Sequence, residues 1–267
     1  MHKAVLLKEA VEGLELKEGE VFVDATYGAG GHTREVLRRF PKVRVISIDQ
    51  DPQAGAEITG NFRDLDKLLK GINPDAILFD LGFSSDQLTG KGLSFLRDEP
   101  LDMRLSGKGI TAAEILNSWD EHAIELILRG FGEERRSRQI AKAIVERREV
   151  KPFKTTFDLV EVAGRRKGKI HPATKTFQAL RIATNEELTA LEEGLEKGWK
   201  ILKPGGRFAV ISFHSLEDRI VKKFFRERDS IDAGHQLNKK PIMPTPEEIK
   251  ENPRSRSAKL RIIKKNV

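Results

Sequence analysis

The sequence predicts an α/β fold in which a mainly parallel sheet, with helices on both faces, is interrupted by an all-helical insertion. Three observations carry this. Apolar, β-rich runs alternate with helical patterns from Val21 to Asp80, as crossover helices between parallel strands require. Asp24, Asp49 and Asp80 each close one of those runs, at the strand ends where open α/β sheets bind ligands. Helical periodicity alone then fills roughly Thr111 to Glu187 before sheet patterning returns at Gly206.

The first strand is expected at Val21 to Ala25, and it feeds the turn Asp24-Ala25-Thr26-Tyr27-Gly28-Ala29-Gly30-Gly31-His32. A helical pattern, Arg34 to Phe40, follows directly. Gly28, Gly30 and Gly31 allow positive φ or close approach of a ligand, and the helix start offers unpaired N–H groups. The second strand, Val43 to Asp49, ends in an acid roughly 20 residues after the glycines, where a Rossmann-like unit places a carboxylate on ribose hydroxyls. The third glycine of the dinucleotide fingerprint would fall on Thr33. The pattern therefore indicates a nucleoside ligand more firmly than a dinucleotide.

A third strand is expected at Asp75 to Asp80, and helices at Ala112 to Asn117, His122 to Leu128, Glu133 to Arg148 and Thr156 to Ala163. Leu202-Lys203-Pro204-Gly205-Gly206 reads as a helix-ending turn before the strand Gly206 to Phe213. A last strand with basic flanks is expected within Arg254 to Ile263. These elements divide the chain into a core segment 1–105, a helical domain 106–186 and a returning core segment 187–267.

Composition narrows the chemistry. The chain has 267 residues, a formal charge of +7 and 33% charged residues, a balance that favours an anionic partner. Its start, Met1 to Glu9, is too short and too charged for a signal peptide, and no run of 18 apolar residues occurs, so a cytoplasmic location without membrane attachment is expected. With no cysteine, disulfides, thiolate metal sites and thiolate nucleophiles are excluded. His32 and His171 lack the spacing partners of a zinc site, and no metal is expected. His214-Ser215 with Glu217-Asp218 cannot form a hydrolytic triad, because adjacent members cannot reach one another in the required geometry.

From Ala4-Val5-Leu6-Leu7 to Arg261 the chain resembles the bacterial ribosomal RNA small-subunit methyltransferase H family. The resemblance rests on Asp24 to Thr33, Asp80 to Ser85, Pro100 to Arg104, Gly132 to Arg135, His171 to Ile182, Ile211 to Arg219 and Glu251 to Ser257. It implies a Rossmann-like class I methyltransferase core and S-adenosylmethionine-dependent methylation of a cytidine N4 amine in the decoding region of small-subunit ribosomal RNA. The implied partner is that RNA or the 30S particle, with a homodimer as a further possibility. Matched position by position, it implies cofactor contacts at Gly30, Gly31, His32, Asp49, Phe62, Asp80 and Gln87. The run Ser84-Ser85-Asp86-Gln87 has Asp86 where the family has proline, which loosens the turn presenting Gln87.

A cytosine amine is a poor nucleophile because its lone pair is delocalised into the ring, so acceptors must orient it. Asp80-Leu81-Gly82-Phe83 matches the ends of the acceptor-to-aromatic run of amino-methyltransferases and lacks its usual proline. Asp80 is the expected acceptor and Phe83 the expected stacking ring. His214 either lines the base pocket or is structural, and Asp102 with Arg104 either binds substrate or forms an internal ion pair. Basic residues concentrate in the insertion, from Arg135 to Lys169, and in the tail, from Arg254 to Lys265, as a surface for RNA phosphates. A nucleoside-cofactor oxidoreductase and a noncatalytic RNA-binding protein are the rival readings.

Overall fold

The computed structural model describes residues 4–82, 89–164 and 171–267. Seven strands are present among them: β1 (Val21–Asp24), β2 (Arg44–Asp49), β3 (Ile58–Thr59), β4 (Ala76–Asp80), β5 (Arg207–Ser212), β6 (Gly234–Gln236) and β7 (Lys259–Lys265). They form one sheet in the order β3-β2-β1-β4-β5-β7-β6. All pairs from β3 to β5 are parallel, and β7 is antiparallel to both β5 and β6. The expected mainly parallel α/β architecture is present.

The chain divides into two compact units, Met1–Ser84 with Leu188–Val267, and Ser85–Glu187. In the first, α1 (Leu7–Leu14), α2 (Gly31–Arg39) and the single turn α3 (Leu65–Leu68) precede β4. Period-two alternation sends consecutive side chains to opposite faces of the sheet. On β4, Ala76 and Leu78 join the core under α1 and α2, with Val11 and Val36. Ile77 and Phe79 join the opposite core, with Leu65 of α3. The crossover from β2 to β4 contains two 3₁₀ turns and α3, where a full helix was expected.

The second unit contains α4 (Ala112–Ser118), α5 (Glu121–Gly130), α6 (Ser137–Val150), α7 (Thr156–Ala163) and α8 (Ala173–Asn185). Helix α6 begins later than the expected Glu133 because Glu133 takes φ +48°, outside helical space. Residues from Thr89 to Leu105, counted with the sheet by sequence, group with this unit. Leu101 and Met103 are buried in its core, and the N–H groups of Leu101 and Leu105 donate to the Lys154 carbonyl and the Asn185 side chain, both at 2.9 Å. Asp158 is its electrostatic anchor: burial opposes its ionisation, yet the N–H groups of Lys154 and Thr155, with Lys151 and Arg147, hold it down to about 2.

The first unit resumes in α9 (Glu187–Ile201), α10 (Ser215–Ser230) and α11 (Pro246–Glu251). Helices α9 and α10 bury Leu191, Leu195, Trp199, Val221 and Phe225 against the face that carries Phe79. No helix of the described residues is long and apolar enough to cross a membrane.

Candidate active site

The three strand-end aspartates do different work around the glycine turn. The Asp49 carboxylate accepts from the Gly28 N–H at 2.7 Å and from the Asp51 N–H at 2.8 Å, so the acid at the end of β2 holds the loop that leaves β1. Asp24 is buried and accepts from the Thr33 hydroxyl at 2.7 Å. Burial pushes its pKa up from 3.8, against the opposing influence of His32 and Thr33. At the end of β4, the Asp80 N–H donates to the Thr26 hydroxyl oxygen at 2.5 Å, which ties this strand end to the same turn.

Gly30, at φ +68°, is the N-cap of α2 and supplies no side chain to its first turn, which also lacks an acid. A Cβ on Gly31 would stand 2.7 Å from that of Ala4. Next to it His32 is buried; its Nε2 lies 3.2 Å from the Val5 carbonyl and its Nδ1 3.6 Å from Asp80 Oδ2. Burial lowers the His32 pKa from 6.5. Phe62 follows Asn61, whose side chain accepts from the Arg63 N–H and starts the turn. Its ring packs 4.7 Å from that of Phe79, and Gly194 of α9 leaves it room, since a Cβ there would be 2.5 Å from Phe62 Cδ2.

The MraW methylase family profile matches residues 1–266. Similar relatives carry the name "Ribosomal RNA small subunit methyltransferase H". One from Coprothermobacter proteolyticus is 46% identical, over 100% of this chain and 96% of its own length. Others from Crocosphaera subtropica and Persephonella marina are 45% and 44% identical, each over 99% of this chain and over 89% and 99% of their own lengths. The chain belongs to the MraW methylase family.

In this methylase the first unit brings together Gly30, Gly31, His32, Asp49 and Asp80 around the β1–α2 turn and the ends of β2 and β4, while Phe62 packs on Phe79 and beside Gly194. Phe83 and Gln87 lie outside the described residues. His214 is the N-cap of α10: its Nδ1 accepts from the Glu217 N–H at 3.4 Å, while the Glu217 carboxylate accepts from the N–H groups of Phe213 and His214. This capping box fixes the turn leaving β5 and accounts for the His-Ser-x-Glu spacing. Asp102 and Arg104 form the internal alternative, a bidentate pair at 2.7 and 2.9 Å that holds Asp102 below its usual pKa.

Several basic residues expected on an RNA-facing surface are instead structural. Arg261 and Lys259 both donate to Asp218, and Lys265 donates to the carbonyls of Trp199 and Leu202. In the second unit Arg147 binds Asp158 and covers the Phe153 ring at 4.5 Å, and Arg148 binds the carbonyls of Leu116 and Trp119. Arg165, Arg166, Lys167 and Lys169 lie outside the described residues. Sequence reasoning missed Thr26, which links Asp80 to the turn, and Gly194. Gly194 and Gly198, four apart within a helical pattern, signal a helix face pressed against large rings.

Proposed function

We propose that this methylase transfers a methyl group from S-adenosylmethionine to the N4 amine of a cytidine in the decoding region of small-subunit ribosomal RNA, in the cytoplasm. The observation that carries this reading is the gathering of Asp24, Asp49 and Asp80 around one glycine turn by Thr33, Gly28 and Thr26, in a chain of a methylase family. The names of its relatives supply the ribosomal RNA substrate.

The residues fit the cofactor by their donor chemistry. Asp49 presents a carboxylate for ribose hydroxyls, Phe62 an aromatic surface for adenine, and the uncapped start of α2 at Gly30, Gly31 and His32 a set of N–H groups for the cofactor's carboxylate. Clustered carboxylates favour a cationic sulfonium nearby. When bound, the cofactor supplies an electrophilic methyl group. Asp80 accepts an N–H of the substrate amine and turns the nitrogen lone pair toward that methyl. As the nitrogen gains the methyl and positive charge develops there, the same carboxylate would stabilise that charge and take up the N–H proton the amine gives up, leaving the neutral methylated amine. Phe83 stacks on the base and Gln87 completes the cofactor contacts. His214 secures the edge of the base pocket through the turn after β5. The helical unit adds RNA contacts to this core.

Single-turnover transfer of labelled methyl to small-subunit RNA, followed by mass spectrometry of the nucleosides, tests the reading. N4-methylated cytidine is the expected product. Methyl on carbon, on ribose or on another base would remove the N4 assignment, and no transfer to RNA would remove the function.

A further inference from the structure

We propose that the solvent face of α10 is a second RNA contact surface, one that grips backbone phosphates from the sheet-bearing unit itself. Leu216, Val221, Phe224 and Phe225 bury the inner face of this helix. Arg219, Lys222, Lys223 and Arg226 are all exposed on the other side, at the i, i+3, i+4, i+7 spacing that aligns side chains in one stripe. The stripe and Lys239, beyond β6, line a cleft of about 850 Å³.

The charge balance of the cleft selects an anion. Of its acids, Asp229 is occupied by the backbone and side-chain N–H groups of Gln236, and Glu227 lies 3.9 Å from Lys223. Lys222 and Arg226 have no ion-pair partner among the described residues. Arg219 with Lys223, and Lys222 with Arg226, are like-charged pairs four residues apart, each of which costs a helix a few tenths of a kcal/mol. A sequence selected for helix stability alone would alternate the signs.

The geometry points to a nucleic-acid strand. From Arg219 to Arg226 the helix advances about 10 Å, over which a strand presents roughly three phosphates. No aromatic side chain among the described residues lines the cleft, so contacts there position the backbone and leave bases unread. Helix α10 starts immediately after β5, at the strand-end side of the sheet that carries Asp80. Its stripe therefore leads away from the candidate active site. The identity of the strand as RNA rests on the function proposed above.

The test compares wild type with the variant Lys222→Gln/Arg226→Gln/Lys239→Gln, all at exposed positions. Binding to a transcribed decoding-region fragment of small-subunit RNA is measured across a salt series, alongside calorimetry with S-adenosylhomocysteine. Losing three phosphate contacts should lower the slope of log affinity against log salt by about 2 to 3 and weaken binding by at least about tenfold at low salt. Homocysteine-cofactor affinity should stay unchanged, and the charge-retaining variant Lys222→Arg/Arg226→Lys/Lys239→Arg should restore the slope. An unchanged slope in the Gln variant overturns the surface, and if that variant has instead lost binding to polyglutamate, measured in parallel, an acidic polypeptide is the partner. If wild type transfers methyl to RNA while the Gln variant binds RNA as wild type does, only the surface fails. If wild type binds RNA with the expected slope but transfers no methyl, only the proposed function fails.

Discussion

His32 stands with Nδ1 3.6 Å from Asp80 Oδ2, too far for a hydrogen bond, while its Nε2 approaches the Val5 carbonyl at 3.2 Å. A carbonyl only accepts, so Nε2 carries the proton, and the neutral ring turns a bare lone pair toward the Asp80 carboxylate. Burial lowers the His32 pKa and favours this neutral form near pH 7. Protonation at Nδ1 would convert the contact into an ion pair and compete with a substrate amine for Asp80. Methyl transfer at saturating substrate should therefore fall by about tenfold per pH unit below the lowered His32 pKa, and His32→Gln should lose that acid limb. Superimposable pH profiles for the two proteins would remove His32 from the control of Asp80.

Asp24 supplies a stability prediction with the opposite pH sense to most carboxylates. Its pKa is raised by burial, so its contribution to stability is present below pH 3.8 and is lost as pH rises. Asp24→Asn retains an oxygen for the Thr33 hydroxyl and removes the buried charge. Denaturant midpoints should place it above wild type at pH 7, with the gain vanishing below pH 3.8. Thr33→Val, which deprives a buried carboxylate of its donor, should instead lose about 1 to 3 kcal/mol.

Gly194→Ala and Gly198→Ala separate packing from cofactor binding. The first would put Cβ 2.5 Å from Phe62 Cδ2, the second 2.8 Å from Phe208 Cε1. Overpacking should cost each about 1 to 3 kcal/mol. Only the first displaces the ring assigned to adenine, so calorimetry should show weaker S-adenosylhomocysteine binding for Gly194→Ala alone. Equal affinities in both variants would free Phe62 from that assignment.

In the helical unit, Asp158→Asn should expose how far one carboxylate anchors the N-terminus of α7. Its pKa, held at about 2 against an ordinary 3.8, contributes about 2 kcal/mol that is present above pH 3.8 and disappears as pH falls through about 2. The variant should be less stable than wild type at pH 7, and the two denaturation curves should converge near pH 2. A difference that persists unchanged at pH 2 would mean that packing, not charge, anchors the helix.

The long strands were legible because apolar runs of five or six residues bounded by acids or glycines have few alternatives. Strand-end placement of Asp24, Asp49 and Asp80 followed from the same runs. The two-residue β3 and three-residue β6 carry too little pattern to be seen, and each is defined by the strand beside it. Likewise, Leu101 and Met103 reveal only by tertiary burial that their segment packs with helices. Side-chain direction was the least legible property. Arg261 and Arg256 look alike in a basic tail, yet Arg261 is buried on Asp218 and Arg256 is exposed. The site's chemistry could be read from its residue types, whereas the links through Thr26 and Gly28 required the turn to be closed in space.

The placement of β7 between β5 and β6 also dictates an order of assembly. β6 is made before β7 but pairs with no strand except β7, so its pairing waits for that later strand. The wall of the α10 cleft contributed by Gln236 therefore forms late, through contacts distant along the chain. During synthesis the glycine turn and its aspartates can organise on β1, β2 and β4 well before that cleft exists.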